Sequence, residues 1–256
     1  DATISETAEL VSILDYDGDG VSDVAFSFGV PYGRSLVRIH TGANLPGSTT
    51  GVSHADPIYP EYPGTTQIDN ASFITTSIGD LNGDGFDDLA MASPDRFIRP
   101  DGMNVGVVSL VLGGQGTTRV DFAHAIIHVP ALGHTITALG DINDDGYDDF
   151  ALHRRLEDRS EFRGGLLIYL GQPSFRTDQA SVAFLSEDDA SIRIAQQGVE
   201  TLAFGTAIGG ELHIAAGDLN SDGRTDLVIG QPAPTRVDRN TGTSVSAPSR
   251  GSTWVI

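Results

Sequence analysis

Sixteen of the 27 aspartates in this 256-residue chain fall into four nine-residue windows that share the pattern D-x-[DN]-x-D-G-x-x-D. The windows are DYDGDGVSD from Asp15, DLNGDGFDD from Asp80, DINDDGYDD from Asp141 and DLNSDGRTD from Asp218. Two carboxylates about 4 Å apart repel each other by roughly 4 kcal/mol at an effective dielectric constant of 20. Because a hard divalent cation cancels that repulsion, the windows predict metal binding.

The spacing within each window fits calcium. Oxygens at positions 1, 3 and 5 of a tight loop point inward, the glycine at position 6 permits a sharp reversal, and position 7 offers its carbonyl. Position 9 supplies another carboxylate, and magnesium fits less well because it tends to keep its waters. Although Asp and Gly favour turns in general, four windows in one register predict about four structural Ca²⁺ ions, one per loop. The predicted ligands are Asp15, Asp17, Asp19, Val21 and Asp23; Asp80, Asn82, Asp84, Phe86 and Asp88; Asp141, Asn143, Asp145, Tyr147 and Asp149; and Asp218, Asn220, Asp222, Arg224 and Asp226.

The flanking segments argue against an EF-hand, which needs a glutamate at position 12 and a helix on each side. Position 12 is apolar in every window: Phe26, Met91, Leu152 and Ile229. The segments around the windows, such as HTITALG and FALHR on either side of the third, are short and rich in β-forming residues. Each loop is therefore predicted to join two strands.

The windows begin 65, 61 and 77 residues apart, and such a period indicates a structural repeat. A third strand is predicted in each unit at RSLVRIHTG, VGVVSLVLGG, GGLLIYLGQ and GSTWVI. A weaker fourth strand follows in the first three units, around TTQID, HAIIHVP and SIRIAQQ. Four antiparallel strands per repeat are typical of a β-propeller blade.

The repeats resemble the FG-GAP repeats of integrin alpha-subunit propellers and of many bacterial surface and secreted proteins. In that family a Phe-Gly pair opens the repeat, Gly-Asp begins the calcium loop, and Gly-Ala-Pro ends the next strand. The first repeat departs from the pattern with Leu14 before its aspartate, and the third lacks the proline. The matching segments are Phe204-Gly205, Gly79-Asp80, Gly140-Asp141 and Gly217-Asp218, with Ala92-Ser93-Pro94 and Gly230-Gln231-Pro232 in place of the last element.

The resemblance implies an all-β propeller built from four FG-GAP-type four-stranded blades, either as a four-bladed ring or as part of a larger propeller. We expect one domain over residues 1–256, with approximate blades at 1–66, 67–130, 131–200 and 201–256. The last unit stops at its third strand, and an open strand edge invites association. Residues 1–8 of the same or of another chain could supply the missing outer strand, or the chain could be a fragment of a longer protein.

The net charge and the composition limit the functions that the chain can have. A net charge of −20 argues against binding nucleic acid, and no run of about 18 apolar residues would span a membrane. The chain has no cysteine and no acid–base pair that could be named as catalytic, so we do not expect an enzyme. The sequence predicts a calcium-stabilised extracellular binding or adhesion module, secreted or at the cell surface, whose partner is a protein, a glycan or a copy of itself. The alternatives are a subunit of a surface filament or coat assembled by strand exchange, and a non-catalytic carbohydrate-binding part of a secreted enzyme.

Other motifs carry less weight. GTSVSAP at 242–248 resembles the serine motif of subtilisin-like proteases, but no histidine stands in a matching context. His124 and His128 lie four residues apart in a predicted strand, which separates them by about 13 Å and argues against zinc. The arginines between 154 and 163 are expected to pair with nearby acidic residues. The insert 43–67 is either a recognition loop or a connector.

Overall fold

The computed structural model is all-β in the part of the chain that it describes, apart from a short 3₁₀ turn at Glu187–Asp189. Valine and isoleucine are the most frequent residues in the strands, as expected for side chains that fit a pleated surface. The structure describes residues 10–30, 34–42, 51–54, 66–67, 74–100, 102, 104–114, 123–155, 165–175, 183–195, 213–231, 235–237, 244–246 and 252–255.

The first sheet contains four antiparallel strands in chain order: β1 (Leu10–Leu14), β2 (Asp23–Val30), β3 (Arg34–His40) and β4 (Gly51–His54). The prediction of its fourth strand at TTQID is wrong. The fourth strand lies inside the 43–67 insert, where Gly51 pairs opposite His40. Strand β4 is the next strand after β3 in the chain, which explains this result because consecutive strands usually pair or lie next to each other.

The second sheet is formed by β5 (Thr66–Gln67), β6 (Ile74–Gly79), β7 (Asp88–Ile98), β8 (Asn104–Val111) and β9 (Ala125–Pro130). Strands β6 to β9 are antiparallel neighbours in that order, and β9 confirms the strand predicted at HAIIHVP. The TTQID segment contributes β5, which pairs with the far end of β7 through Thr66 and Ile98.

The third repeat contributes strands to two sheets. Its strands are β10 (Leu132–Gly140), β11 (Asp149–Arg154), β12 (Gly165–Tyr169), β13 (Ala183–Ser186) and β14 (Ile192–Ala195). The third sheet has the order β10-β11-β12-β14, and β14 confirms the strand predicted at SIRIAQQ. Strand β13 instead pairs in parallel with β9 of the second sheet, which the sequence analysis did not foresee. The Tyr169 hydroxyl donates to the Ser186 carbonyl at 2.9 Å, which ties this crossing segment to the third sheet.

The fourth repeat contains β15 (His213–Gly217), β16 (Asp226–Gln231), β17 (Thr235–Val237), β18 (Ser244–Ser246) and β19 (Ser252–Val255). Strands β15, β16 and β19 form a three-stranded sheet, and the terminal strand predicted at GSTWVI is confirmed. Strands β17 and β18 form a hairpin within the preceding insert. Residues 1–8, which could supply an outer strand, lie outside the described residues.

Neighbouring sheets pack face to face through layers of apolar side chains. The ring of Phe150 stacks on that of Tyr169 with centroids 5.3 Å apart in the layer between the second and third sheets. Strands β8 and β12 are buried along almost their whole length, as expected where both faces of a sheet are covered. The three layers contain Leu14, Ala25, Leu89 and Met91; Ile78, Leu110, Leu132 and Phe150; and Leu139, Ala151 and Leu227.

The first strands of the four sheets lie side by side. Strand β1 contacts β6, β6 contacts β10, and β10 contacts β15. This arrangement is consistent with β-propeller blades placed around a common axis. The extensive contacts among the described residues do not include one between β15 and β1. Closure of a four-bladed ring and the blade boundaries therefore stay predictions.

Candidate metal centre

Each of the four aspartate windows joins the first and second strands of a sheet, as predicted. The loops follow β1, β6, β10 and β15, and the aspartate at position 9 begins the next strand in every case. The glycine of the Gly-Asp pair has a positive φ in the second and third repeats, with Gly79 at 75° and Gly140 at 68°. Both glycines adjoin a register shift in the strand pairing. Leu14 replaces this glycine in the first repeat, where the pairing is regular.

The first loop brings three carboxylates together. One oxygen each of Asp15, Asp17 and Asp19 lies within 4.8 Å of the other two. The Oδ1 atoms of Asp15 and Asp17 are buried and accept no hydrogen bond from any residue that the structure describes. Buried acceptors are normally satisfied, and converging carboxylate oxygens are the ligands that Ca²⁺ prefers. The residues at this point therefore fit a hard divalent cation.

The carboxylate at position 1 closes each loop on itself. Its Oδ2 accepts a hydrogen bond from the backbone N–H of the glycine at position 6, which reaches it across the turn. The nitrogen–oxygen distances are 2.9 Å for Gly20–Asp15, 2.8 Å for Gly85–Asp80, 2.7 Å for Gly146–Asp141 and 2.9 Å for Gly223–Asp218. The four loops thus share one hydrogen bond across the turn, as expected from their common sequence pattern.

Position 3 distinguishes the first loop from the other three. In these the asparagine Nδ2 donates to the carboxylate at position 5, at 2.9 Å for Asn82 to Asp84. The same bond measures 2.9 Å from Asn143 to Asp145 and 3.0 Å from Asn220 to Asp222. Since ligand charge tunes calcium affinity, the first loop, with Asp17 at this position, has the greater electrostatic demand for a cation.

In the first three loops the aspartate at position 9 anchors the loop to the segment that directly follows the third strand of its own sheet. Asp88 Oδ2 accepts from Leu81 N at 2.9 Å, and its Oδ1 accepts from Gly113 N at 2.8 Å. Asp23 and Asp149 make the equivalent pairs of bonds, and all three aspartates are fully buried. These residues were predicted from sequence as ligands only. Their structural role depends on a glycine 19 to 25 residues away, so the nine-residue window could not indicate it.

Burial also changes the acidity of these anchors. It raises the pKa of Asp88 to about 8 and that of Asp149 to about 6, while the backbone hydrogen bonds act in the opposite direction. Neighbouring carboxylates, such as that of Asp84 beside Asp88, raise the pKa further. A cation in the loop would favour the ionised form, because a bound ion is the largest local charge in such a site.

The residue at position 7 was predicted to offer its backbone carbonyl to the ion, and that role stays a prediction. The structure shows that its N–H donates to the carboxylate at position 5. Its side chain has a further role in two loops. A Cβ on Gly18 would lie 2.6 Å from Phe86 Cε1, and one on Gly83 would lie 2.7 Å from Tyr147 Cε1. The ring of one loop therefore rests on the position-4 glycine of the preceding loop. Asp144 and Ser221 take that place in the third and fourth loops, also at positive φ.

The aspartates at position 8 were not among the predicted ligands, and they also reach the preceding loop. The backbone N–H of Asp15 donates to Asp87 Oδ2 at 2.7 Å, and that of Asp80 donates to Asp148 Oδ2 at 2.9 Å. The signal in the sequence was the Asp-Asp pair that closes the second and third windows. The first and fourth windows have Ser22 and Thr225 at this position.

The remaining candidates do not form a second centre in the described residues. His124 Nδ1 accepts from Leu112 N at 3.0 Å, whereas His128 lies beside the ring of Phe97. Arg154 pairs with Glu187, while the acidic residues expected as partners for the arginine cluster lie at 157–161, outside the described residues. Among the described residues, no helix has the length and apolar character needed to cross a membrane.

The loops and sheets agree with comparisons to known proteins. The FG-GAP repeat family model matches residues 73–111 and 213–253, which include the second and fourth loops. Integrin alpha-PS2 of Drosophila melanogaster is 31% identical over 235 residues, covering 84% of this chain and 14% of that protein. Integrin alpha-3 of Cricetulus griseus is 27% identical over 158 residues, covering 60% of this chain and 13% of that protein.

One similar protein carries the name of an enzyme. The phosphatidylinositol-glycan-specific phospholipase D of Dictyostelium discoideum is 31% identical over 171 residues, covering 60% of this chain and 17% of that protein. The chain thus spans less than a fifth of the length of each of these relatives.

Proposed function

Because this chain belongs to the integrin-alpha-like FG-GAP repeat family, we propose that it is an extracellular binding or adhesion module and that calcium ions bound in its loops stabilise it. The ions serve structure, one in each of about four loops, and the rigid sheets present a surface to a partner. Millimolar extracellular calcium would keep such loops filled. The integrin-like relatives support a location at the cell surface or in the surrounding medium.

The observation that carries this proposal is the first loop. Three carboxylates converge there, and two of their buried oxygens have no hydrogen-bond donor among the described residues. A cation bound between Asp15, Asp17 and Asp19 would satisfy these oxygens and offset their mutual repulsion. Since the loop joins β1 to β2 and also contacts the second loop, a bound ion would stabilise both sheets.

The same geometry favours a structural ion over a catalytic one. The loop brings together carboxylates at positions 1, 3 and 5, and with the carboxylate at position 9 and the carbonyl at position 7 that the spacing predicts, the loop itself would fill most calcium coordination positions. A catalytic metal instead keeps an open position for substrate or water. The chemistry that the ion supplies is charge neutralisation, and the residues of the loop hold it in place.

Thermal unfolding tests the proposal. A ligand that binds only the folded state stabilises that state by mass action, so the melting temperature should rise with calcium concentration and fall in excess chelator. Asp19→Ala should reduce the calcium-dependent rise, because it removes one of the three converging carboxylates. The change should cost little in chelator, since Asp19 is exposed and its hydrogen bond from the Val21 N–H is also exposed. Asp188→Asn removes a charge at an exposed ion pair outside the four loops, and should leave the rise unchanged. Equal melting temperatures in calcium and chelator would contradict the proposal.

The partner is proposed to be a protein or a glycan. The integrin-like relatives favour a protein ligand, and the charge of −20 favours a partner with basic character. A glycan array, together with binding to candidate matrix proteins in calcium, separates the two classes. Binding to nucleic acid at physiological salt would contradict the electrostatic argument.

Two further roles are supported by particular observations. The similarity to a phospholipase D favours a second candidate, a non-catalytic and carbohydrate-binding part of a larger secreted enzyme. The three-stranded fourth sheet is compatible with a surface filament or coat assembled by strand exchange, the third candidate. Light scattering in calcium tests the third, because strand exchange predicts polymers that deletion of residues 1–8 would abolish.

A further inference from the structure

The second and third loops each hold the backbone of the preceding loop by two hydrogen bonds. Asp80 N donates to Asp148 Oδ2, and Asp148 N donates to the Asp80 carbonyl, both at 2.9 Å. Asp15 N donates to Asp87 Oδ2 at 2.7 Å, and Asp87 N donates to the Asp15 carbonyl at 3.0 Å. The four residues are 68 or 72 positions apart in the chain, so these bonds join neighbouring sheets.

The residues that are held in this way begin the loops. The carboxylate of Asp15 accepts the Gly20 N–H through Oδ2, while its Oδ1 is one of the buried oxygens without a donor among the described residues. Fixing the N–H and carbonyl of Asp15 fixes its backbone and therefore the direction of its Cα–Cβ bond. The hydrogen bonds to Asp87 thus set the point from which the first carboxylate of the loop extends, while the Gly20 N–H orients the carboxylate itself.

The close approach of the third loop to the second requires a glycine. A Cβ on Gly79, the residue before Asp80, would lie 2.0 Å from Asp148 Oδ2. The corresponding Gly140 has nothing within 4 Å of such a Cβ, and the fourth loop has Thr225 instead of an aspartate at position 8. Among the described residues the contact holds the first and second loops, and a glycine before the aspartate accompanies it only in the second, because Leu14 precedes Asp15.

We propose that Asp87 and Asp148 are positioning residues, each of which holds the loop of the preceding sheet in its cation-binding shape. This inference rests on the proposed function, since it assumes that the loops bind Ca²⁺. Groups that orient metal ligands without touching the metal typically change affinity by about 10- to 100-fold when they are removed. A pre-oriented loop also loses less conformational freedom on binding. Calcium affinity in one sheet therefore depends on a side chain of the next.

The test is a CaCl₂ titration of the whole isotope-labelled chain, followed by NMR at one amide in each loop. The amides of Gly20, Gly85, Gly146 and Gly223 are equivalent reporters, because each donates to the position-1 carboxylate of its own loop. In Asp87→Ala we expect calcium binding reported by Gly20 to weaken about tenfold, with little change at Gly85. In Asp148→Ala the weakening should appear at Gly85 and not at Gly146.

Two further variants separate positioning from charge and from misfolding. Asp87→Asn and Asp148→Asn retain an oxygen that can accept the same N–H, so they should bind calcium nearly as the unmodified chain does. Asp188→Asn controls for the loss of a negative charge outside the four loops. The asparagine variants also keep the test valid if an alanine variant fails to fold.

The outcomes are distinguishable. Weakening confined to the loop that carries the substitution, or equal in all four loops, would overturn the inference. If the asparagine variants bind calcium as weakly as the alanine variants do, the loss of affinity comes from the loss of charge. That result would also overturn the inference. If no glycine amide of the unmodified chain responds to CaCl₂, the proposed function itself fails.

Discussion

The carboxylate of Asp149 accepts a hydrogen bond from the backbone N–H of Gly171 at 2.8 Å, and this bond links the third loop to the end of β12. The contact needs a residue without a side chain. A Cβ on Gly171 would lie 2.4 Å from the carbonyl oxygen of Asp148 and 2.7 Å from that of Leu81. The same relationship joins Asp23 to Gly42 and Asp88 to Gly113. The first three loops are therefore attached to their sheets by protein hydrogen bonds that need no bound ion.

Gly171→Ala should destabilise the protein because backbone atoms must move to accommodate the methyl group. We expect the free energy of unfolding to fall by about 1 to 3 kcal/mol, the usual cost of overpacking. Gly217→Ala is the matched control, since a Cβ there would meet nothing within 4 Å, and its effect should stay within about 0.5 kcal/mol. Denaturant unfolding in chelator measures both, and equal stabilities would refute the steric argument.

Asp149 and Asp145 should respond differently to calcium. Asp149→Ala leaves the buried N–H of Gly171 without its acceptor, at about 1 to 3 kcal/mol, and the half-buried N–H of Ile142 also loses its acceptor. The loss should persist in chelator. Asp145 is exposed, so Asp145→Ala should cost little in chelator and should show its main effect in calcium. Unfolding curves of both variants in the two conditions provide the measurement. A loss in Asp149→Ala that disappears in chelator would mean that the anchor acts only through the ion.

The second loop can be converted to the composition of the first. Asn82→Asp replaces the amide that donates to Asp84 with a carboxylate, so the second loop, like the first, would have carboxylates at positions 1, 3, 5 and 9 and should bind calcium about tenfold more tightly. Asp17→Asn makes the reverse change in the first loop and should weaken binding there. The Gly85 and Gly20 amides report the two loops separately in a calcium titration. Unchanged affinities would show that ligand charge does not set the order of the loops.

His153 predicts a loss of stability on acidification. It is buried, neither ring nitrogen has a hydrogen-bond partner among the described residues, and burial lowers its pKa to about 4, with Arg155 and His134 contributing. Because the pKa is higher in the unfolded chain, the unfolded state takes up the proton first. Stability is therefore lost as the pH falls from about 6.5 to 4, by up to about 3 kcal/mol.

The difference between the unmodified chain and His153→Leu isolates this contribution. The buried aspartates with raised pKa values act in the opposite direction over the same range, so the absolute pH profile does not isolate it. We measure the free energy of unfolding of both proteins in chelator at several pH values. As the pH falls, the stability of His153→Leu should rise relative to that of the unmodified chain. A constant difference would contradict the account of His153.

The sequence predicted the loops well because their geometry is local. Positions 1 to 9 lie in one turn, and the Asp–Gly spacing determines where their oxygens point. The partners of these loops were not predictable in the same way. Phe86 rests on Gly18 and Asp148 reaches Asp80 across sheets, so their proximity depends on how the sheets pack. Only the Asp-Asp pairs and the glycine at position 4 hinted at these contacts.

The outer strands were harder to predict for another reason. Outer strands carry weak apolar patterns, and the long connections offer several segments that could pair. Strand β4 lies within an insert that could also have been a recognition loop, and β13 crosses to the second sheet. An outer strand pairs with whichever open sheet edge lies close to it in the folded protein. The periodicity of the sequence contains no information about that distance.

The most direct test of the central claim is a crystal structure of the protein grown in calcium, with anomalous scattering recorded to locate the ions. We predict an anomalous peak in each of the four loops, with the first ion lying between Asp15, Asp17 and Asp19. Density in these loops that contains only water, with no anomalous signal at any of them, would contradict the claim that calcium stabilises this fold.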